Sequence, residues 1–277
     1  MIPFTKAHAC GNDFLIITED AAGQHDWATL ARRLCPRNTG IGADGIEFFA
    51  WLRKEKPASG SIRLHNADGS IAEISGNGTR CVAAWMAQSL GSQPGDQIHI
   101  QTDAGLRTCR IDAIHADSGF SVDVTTGMGV PVFQSHTVRL ASGAEISGTQ
   151  VSTGNPHFVL LVDNPDFTLH GRSWQSIGAE ICIHPDFLHQ TNVEFLRFLS
   201  PGEIEIRIFE RGVGPTSSSG TGTSASATAA IAFHGCQSPL RVLAPGGAQS
   251  VSWSGTETEL FLTGPAALIA RGEAWPE

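Results

Sequence analysis

The sequence predicts an α/β (α+β) protein of two pseudo-symmetric lobes, each a strand-rich sheet wrapped around a central helix. Three observations carry this expectation. Ser75-Gly76-Asn77-Gly78-Thr79 returns 144 positions later as Ser219-Gly220-Thr221-Gly222-Thr223. Neighbouring pieces recur at nearly the same spacing: Asn66-Ala67-Asp68-Gly69 aligns with Glu210-Arg211-Gly212-Val213, and Gly11-Asn12-Asp13-Phe14 echoes Gly154-Asn155-Pro156-His157-Phe158. A period this long implies a duplicated half rather than a solenoid. Most periodic segments alternate as strands do, and two others are apolar all round.

In chain order, strands are expected at Ile62-Arg63-Leu64, Ile98-His99-Ile100, Phe120-Ser121-Val122-Asp123-Val124, Val193-Glu194-Phe195-Leu196 and Ile204-Glu205-Ile206-Arg207-Ile208-Phe209, punctuated by Gly, Pro, Asn and Asp. The segment from Gly78 to Leu90 carries Cys81-Val82-Ala83-Ala84-Trp85-Met86-Ala87 and is stopped by Gly91; the Ala-rich segment from Ser224 to Phe233 is stopped by Gly235. A helix without a polar face must be buried on all sides, so each is expected at the centre of its lobe with the Ser-Gly-x-Gly turn at its N-terminus. The repeat sets a first lobe at residues 1–126, a second at 127–264, and a tail at 265–277 that returns to the first lobe. Chemistry is expected in the cleft between such lobes.

Composition narrows the function classes. The 277 residues suffice for two lobes of about 130 residues, each with its own core. A net charge of −9, without a basic run, argues against nucleic acid as a partner. No apolar stretch is long enough to cross a bilayer and the opening residues lack a signal-peptide core, so a cytoplasmic protein without a membrane partner is expected. The six cysteines are scattered without a Cys-x-x-Cys pair, and the eleven histidines form no ligand spacing; reduced thiols and no metal are expected.

A helix N-terminus presents unpaired backbone N–H groups and partial positive charge, and glycine lets a ligand approach that backbone closely. A single Ser-Gly-x-Gly turn is an ordinary capped helix start, but duplication with matching flanks points to a carboxylate site. Asn12, Asn66, Asn155 and Asn192 offer donors and acceptors, and Glu210 with Arg211 suits an ammonium and a carboxylate. Taken singly, each Asn also fits a turn role. His157 and His8 are candidate proton carriers, a structural role being the alternative for both.

The strings His8-Ala9-Cys10-Gly11-Asn12-Asp13-Phe14, Gly40-Ile41-Gly42-Ala43-Asp44-Gly45, Asn66-Ala67-Asp68-Gly69-Ser70, Gly76-Asn77-Gly78-Thr79-Arg80-Cys81, Gly154-Asn155-Pro156-His157, Asn192-Val193-Glu194-Phe195 and Glu210-Arg211-Gly212 resemble diaminopimelate epimerase. The resemblance implies that family's two-lobed fold and a homodimer. It also implies an amino-acid epimerase or racemase working without pyridoxal phosphate, metal or other cofactor on a small amino-acid substrate, in lysine biosynthesis. In that family two cysteines act as base and acid on opposite faces of the α-carbon. Carried over position by position, Asn12, Asn66, Asn155, Asn192, Glu210 and Arg211 bind the substrate, and the backbone of Gly76, Asn77, Gly220 and Thr221 holds its α-carboxylate. The cysteine positions are Ser75 and Ser219, and Gly214-Pro215-Thr216 departs from the family's Gly-Glu-Thr.

The substitution changes the chemistry. A thiol ionises near about pH 8.5, an alcohol several units higher, and each unit costs about 1.4 kcal/mol. A helix dipole contributes at most about 2 kcal/mol, so a serine needs a neighbour to take its proton. His157, His8, Glu73 and Asp44 are the candidates by sequence, and Cys10 is the candidate for a displaced thiol. Three functional readings stand: an epimerase using Ser75 and Ser219, a one-base isomerase or dehydratase of a small carboxylate, and an inactive paralogue, binding protein or Cys-to-Ser variant. Pro215 favours natural divergence over a variant made only to silence the thiols. Gly45 leaves no side chain to confer specificity at its position.

Overall fold

The computed structural model describes residues 1–116 and 119–276 and divides into two compact units, Met1–Gly127 with Thr263–Glu277, and Met128–Leu262. Unit 1 contains β1 (Ile2–Ala9), β2 (Asn12–Thr18), α1 (Glu19–Ala22), α2 (Trp27–Leu34), β3 (Gly45–Arg53), β4 (Ala58–Asn66), β5 (Ile71–Ala72), α3 (Gly76–Leu90), β6 (Gln97–Thr102), β7 (Gly105–His115) and β8 (Phe120–Gly127). Unit 2 contains β9 (Val132–Arg139), β10 (Glu145–Ser152), β11 (Pro156–Val162), α4 (Trp174–Cys182), β12 (Asn192–Ser200), β13 (Glu203–Glu210), β14 (Gly214–Thr216), α5 (Gly220–Phe233), β15 (Leu240–Ala244) and β16 (Gly247–Ser252). The last strand, β17 (Phe261–Ala274), supplies unit 1 with residues from Thr263 onward.

In unit 1 the ladder runs β17–β1–β2–β3–β4–β6–β7–β8 and closes through β8–β17. Closure leaves no free edge among these strands and encloses α3. The helix needs that enclosure, because Cys81, Val82, Ala83, Ala84, Met86 and Ala87 are all buried and leave it no solvent face. Burying Val82 or Met86 contributes about 2 kcal/mol each. Ser75 caps its start, and Gly91 ends it in the left-handed region at φ 60°, where a side chain would be strained.

Strands β2 and β3 are parallel neighbours joined through α2, and both are buried on two faces. Phe14, Ile16 and Phe49 face α3; Leu15, Ile17, Ile46 and Phe48 face α1 and α2. A polar side chain on either face of β3 is therefore shut away from water.

Unit 2 repeats the plan. Its ladder runs β9–β10–β11–β12–β13–β15–β16, with β14 paired on β13. The parallel pair β11–β12 is crossed by α4, and the parallel pair β13–β15 by α5. Helix α5 lies in the core formed by Ile204, Ile206, Ile208, Leu240, Val242 and Val251. Three of its buried hydroxyls find partners: Ser224 donates to Gly220 O at 2.9 Å, Thr228 to Ser224 O at 2.9 Å, and Thr223 to Gln249 Oε1 at 2.6 Å. It begins at Gly220, four residues before the Ala-rich run, because Ser219 caps it.

Candidate active site

The two Ser-Gly-x-Gly turns have the same local geometry, one in each unit. In unit 1, Ser75 is extended at φ −123°, ψ 120°, and its hydroxyl oxygen accepts the Gly78 N–H at 3.0 Å. Thr79 N and Thr79 Oγ1 both donate to the Ser75 carbonyl at 2.8 Å, so Gly76 and Asn77 form the first turn ahead of the helix's own ladder. In unit 2, Ser219 is extended at φ −145°, ψ 126°, accepts the Gly222 N–H at 3.2 Å, and its carbonyl accepts Thr223 N at 2.9 Å; Gly220 and Thr221 form that first turn.

Around the first turn the structure brings Asn12, Asn77 and Asp44 together. Asn77 Nδ2 donates to Asn12 Oδ1 at 3.1 Å and Asn12 Nδ2 to Asp44 Oδ2 at 2.6 Å. Asp44 also pairs with Arg37 at 2.7 Å, Arg37 with Asp13 at 2.8 Å, and Asp13 with Lys6 at 3.1 Å. Burial pushes the Asp13 carboxyl up, but Arg37 and Lys6 outweigh it and hold the group below the ordinary carboxylate range. At the other end Arg80, fully buried, donates to Asn77 Oδ1 at 2.5 Å. Both asparagines are thus held by a chain of charges, which fixes their amides in one orientation. Asn66 lies at the β4–β5 turn, where its Nδ2 donates to Ser70 Oγ at 3.0 Å; the next residue, Ala67, donates its N–H to Asp44 O at 3.0 Å.

Around the second turn, Asn155 Nδ2 donates to Thr221 Oγ1 at 3.3 Å, and Thr221 Oγ1 lies 3.4 Å from Ser219 Oγ. His157 is buried, with Nε2 2.9 Å from Asn155 Oδ1 and Nδ1 2.7 Å from Glu194 Oε1. Both ring nitrogens are thus engaged, which fixes the plane of the imidazole. Asn192 Oδ1 accepts the Arg211 N–H at 2.9 Å, and the exposed Arg211 side chain donates to His189 O at 2.9 Å. Burial raises the Glu210 carboxyl above its ordinary value, with a hydrogen bond from Ser219 drawing it back.

The proton acceptors named from the sequence are otherwise engaged. His157 is committed to Glu194 and Asn155, Asp44 to Asn12 and Arg37, His8 Nδ1 accepts Gly11 N–H at 3.3 Å, and Glu73 is exposed. Two carboxylates that sequence reasoning passed over stand closer to the turns. Strand alternation alone would turn Glu194 to solvent, yet Glu47 and Glu194 are both 0% exposed. A Cβ added at Gly78 would lie 1.9 Å from Glu47 Oε1, and one at Gly222 would lie 2.7 Å from Glu194 Oε1; each would lie 3.2 Å from the Cβ of its own capping serine. Each glycine thus leaves room for a buried carboxyl against the first turn of its helix. The available signal was a lone Glu inside the apolar run Gly45-Ile46-Glu47-Phe48-Phe49-Ala50.

Comparison with known proteins fixes the lineage. The family described as diaminopimelate epimerase matches residues 4–133 and 149–269. The chain belongs to the diaminopimelate epimerase family. The diaminopimelate epimerase of Desulfitobacterium hafniense is 36% identical over 283 residues, 96% of each chain, and that of Pseudomonas aeruginosa is 33% identical over 285 residues, 99% of each. Among solved structures, a hydroxyproline epimerase from Agrobacterium vitis superposes with a TM-score of 0.71 at 16% identity, covering 98% of this chain and 90% of its own. A phenazine biosynthesis protein of the PhzF family from Bacillus anthracis superposes with a TM-score of 0.72 at 14% identity over 99% of both. At those identities the two structures share the diaminopimelate epimerase-like fold. Among the described residues no helix is long and apolar enough to cross a membrane, and no three His, Cys, Asp or Glu side chains are grouped to hold a metal ion.

Proposed function

We propose that this diaminopimelate epimerase family member inverts the α-carbon of diaminopimelate without a cofactor, using Ser75 and Ser219 at the acid–base positions. The observation that supports it most is the repeated serine-capped turn, once in each unit, with the family's asparagines held in place around it. In the proposed reaction the N–H groups of Gly76, Asn77, Gly220 and Thr221 hold the α-carboxylate. One serine oxygen takes the α-proton, the C–H electron pair stays on carbon, and the other serine returns a proton from the opposite side. Ser219 passes its own proton to Glu210, whose carboxyl it hydrogen-bonds and whose basicity burial raises. Asn12, Asn66, Asn155, Asn192 and Arg211 bind the remaining polar groups of the substrate. The working form is a cytoplasmic homodimer, which sedimentation velocity would test.

The test is proton NMR of LL- and meso-diaminopimelate in deuterated water. Loss of the α-proton signal from both isomers, abolished in Ser75→Ala/Ser219→Ala, is the expected result. Signal that persists from both isomers would remove diaminopimelate as the substrate. Ser75→Cys/Ser219→Cys is expected to raise the exchange rate, since thiols ionise without help.

A further inference from the structure

Glu47 has no role in the reaction as drawn above, yet it is the most anomalous side chain in unit 1. It stands on β3 opposite Ile16 of β2 and Leu64 of β4, both members of the core around α3. Neither carboxyl oxygen has a hydrogen-bond partner among the described residues. Burying an ionisable group without a partner costs several kcal/mol, so the position calls for an account. Its surroundings supply one. The carboxyl sits against Gly78, and Gly78 is the residue whose N–H binds Ser75 Oγ.

We propose that Glu47 is the proton acceptor for Ser75, a positioning residue that acts on the substrate through the serine hydroxyl. When Ser75 Oγ leaves its cap on Gly78 and takes the substrate α-proton, the hydroxyl proton passes to a Glu47 carboxylate oxygen: the substrate Cα–H bond breaks with its electron pair left on carbon, the old Oγ–H bond breaks as a new one forms, and a carboxyl O–H forms. In the return direction the same bond changes reverse. No co-reactant is needed. In the second unit Glu194 occupies the matching place against Gly222, but there His157 is its partner, so among the described residues Glu47 alone of the pair is left without one. Burial pushes the Glu47 carboxyl up to about 8, near the range of the thiol that the family carries at the Ser75 position. The ionisable group that interacts with it is Cys81 of α3, which Arg80, Cys10 and Asp13 also influence; Leu64, opposite on β4, is apolar.

The proposal rests on Ser75 being an acid–base group, so its test uses a probe that needs no substrate. The full chain is treated with a small fluorophosphonate from about pH 6 to about pH 10, and modified Ser75 and Ser219 are counted by peptide mass spectrometry. In labelling, the Oγ–P bond forms, fluoride leaves and the hydroxyl proton goes to Glu47. Ser75 labelling is expected to rise through about pH 8, to fall about 100-fold in Glu47→Gln, and to recover in part in Glu47→Asp, with Ser219 labelling unchanged. In the exchange assay, Glu47→Gln is expected to slow the Ser75 enzyme about 100-fold and to leave Ser75→Cys within about twofold. Ser75 labelling at the Ser75→Ala blank, labelling indifferent to Glu47→Gln, or equal losses at both serines would overturn the proposal. Glu47-dependent labelling without α-proton exchange would uphold it while overturning the epimerase reading.

Discussion

Gly78 and Gly222 act through an absence. Each opens a helix turn onto a buried carboxyl, and the gap at Gly78 is the tighter by 1.9 Å against 2.7 Å. Gly78→Ala is therefore expected to destabilise the protein by about 1–3 kcal/mol, and Gly222→Ala by less. Adding Glu47→Ala should relieve the first and not the second. Urea midpoints for the four variants and the parent check this; equal midpoints for Gly78→Ala and the parent would place the carboxyl elsewhere. At this scale the sequence was partly legible. The serines and asparagines stood out because short motifs repeat at 143 or 144 positions. Glu47 and Glu194 lie 147 apart, since the connections through α2 and α4 differ in length, and that slip hid them from the repeat. The charged chain from Lys6 through Asp13, Arg37 and Asp44 was hidden for another reason, as it joins residues whose partners only the folded backbone brings close.

For the elements, burial of β3 on both faces gives the protein a particular response to pH. The Glu47 carboxyl is neutral in the folded chain until about pH 8, whereas in the unfolded chain it ionises near its ordinary value of 4.5. Between those limits the folded state binds more protons, so the contribution to stability falls as pH rises and levels off above about 8. The loss is on the order of a few kcal/mol. Glu47→Gln is expected to remove this slope and to be the more stable protein at pH 8. Urea unfolding of both proteins across that range measures it, and parallel profiles would contradict the assignment. Helix α3 was legible because an apolar-all-round segment has one destination. The two-faced burial of β3 and β12 was not, since alternation in a short strand says nothing of a helix such as α2 or α4 that covers the outer side.

Across the whole molecule, the six thiols are reduced and buried. Burial raises Cys35 to about 12 and Cys109 to about 11, and also raises Cys81, Cys182 and Cys236. The native chain is expected to show no fast-reacting thiol toward an aromatic disulfide reagent at neutral pH, and six once denatured. A single fast thiol mapping to Cys10 would revive it as the displaced acid–base group. The two-unit plan was legible from the duplication, because a period of this length can be satisfied only by two similar bodies.

Strand β17 imposes an order of assembly on a chain made from its N-terminus. Ile2 pairs with Ala274 and His8 with Ala267, so β1 keeps an open edge until the final segment leaves the ribosome. Unit 2, continuous from Met128 to Leu262, is by then wholly synthesised. The half that is translated first is therefore completed last. A nascent chain arrested before residue 263 should show a protease-sensitive N-terminal half, which makes the interval before β17 emerges the time when a chaperone has most to protect.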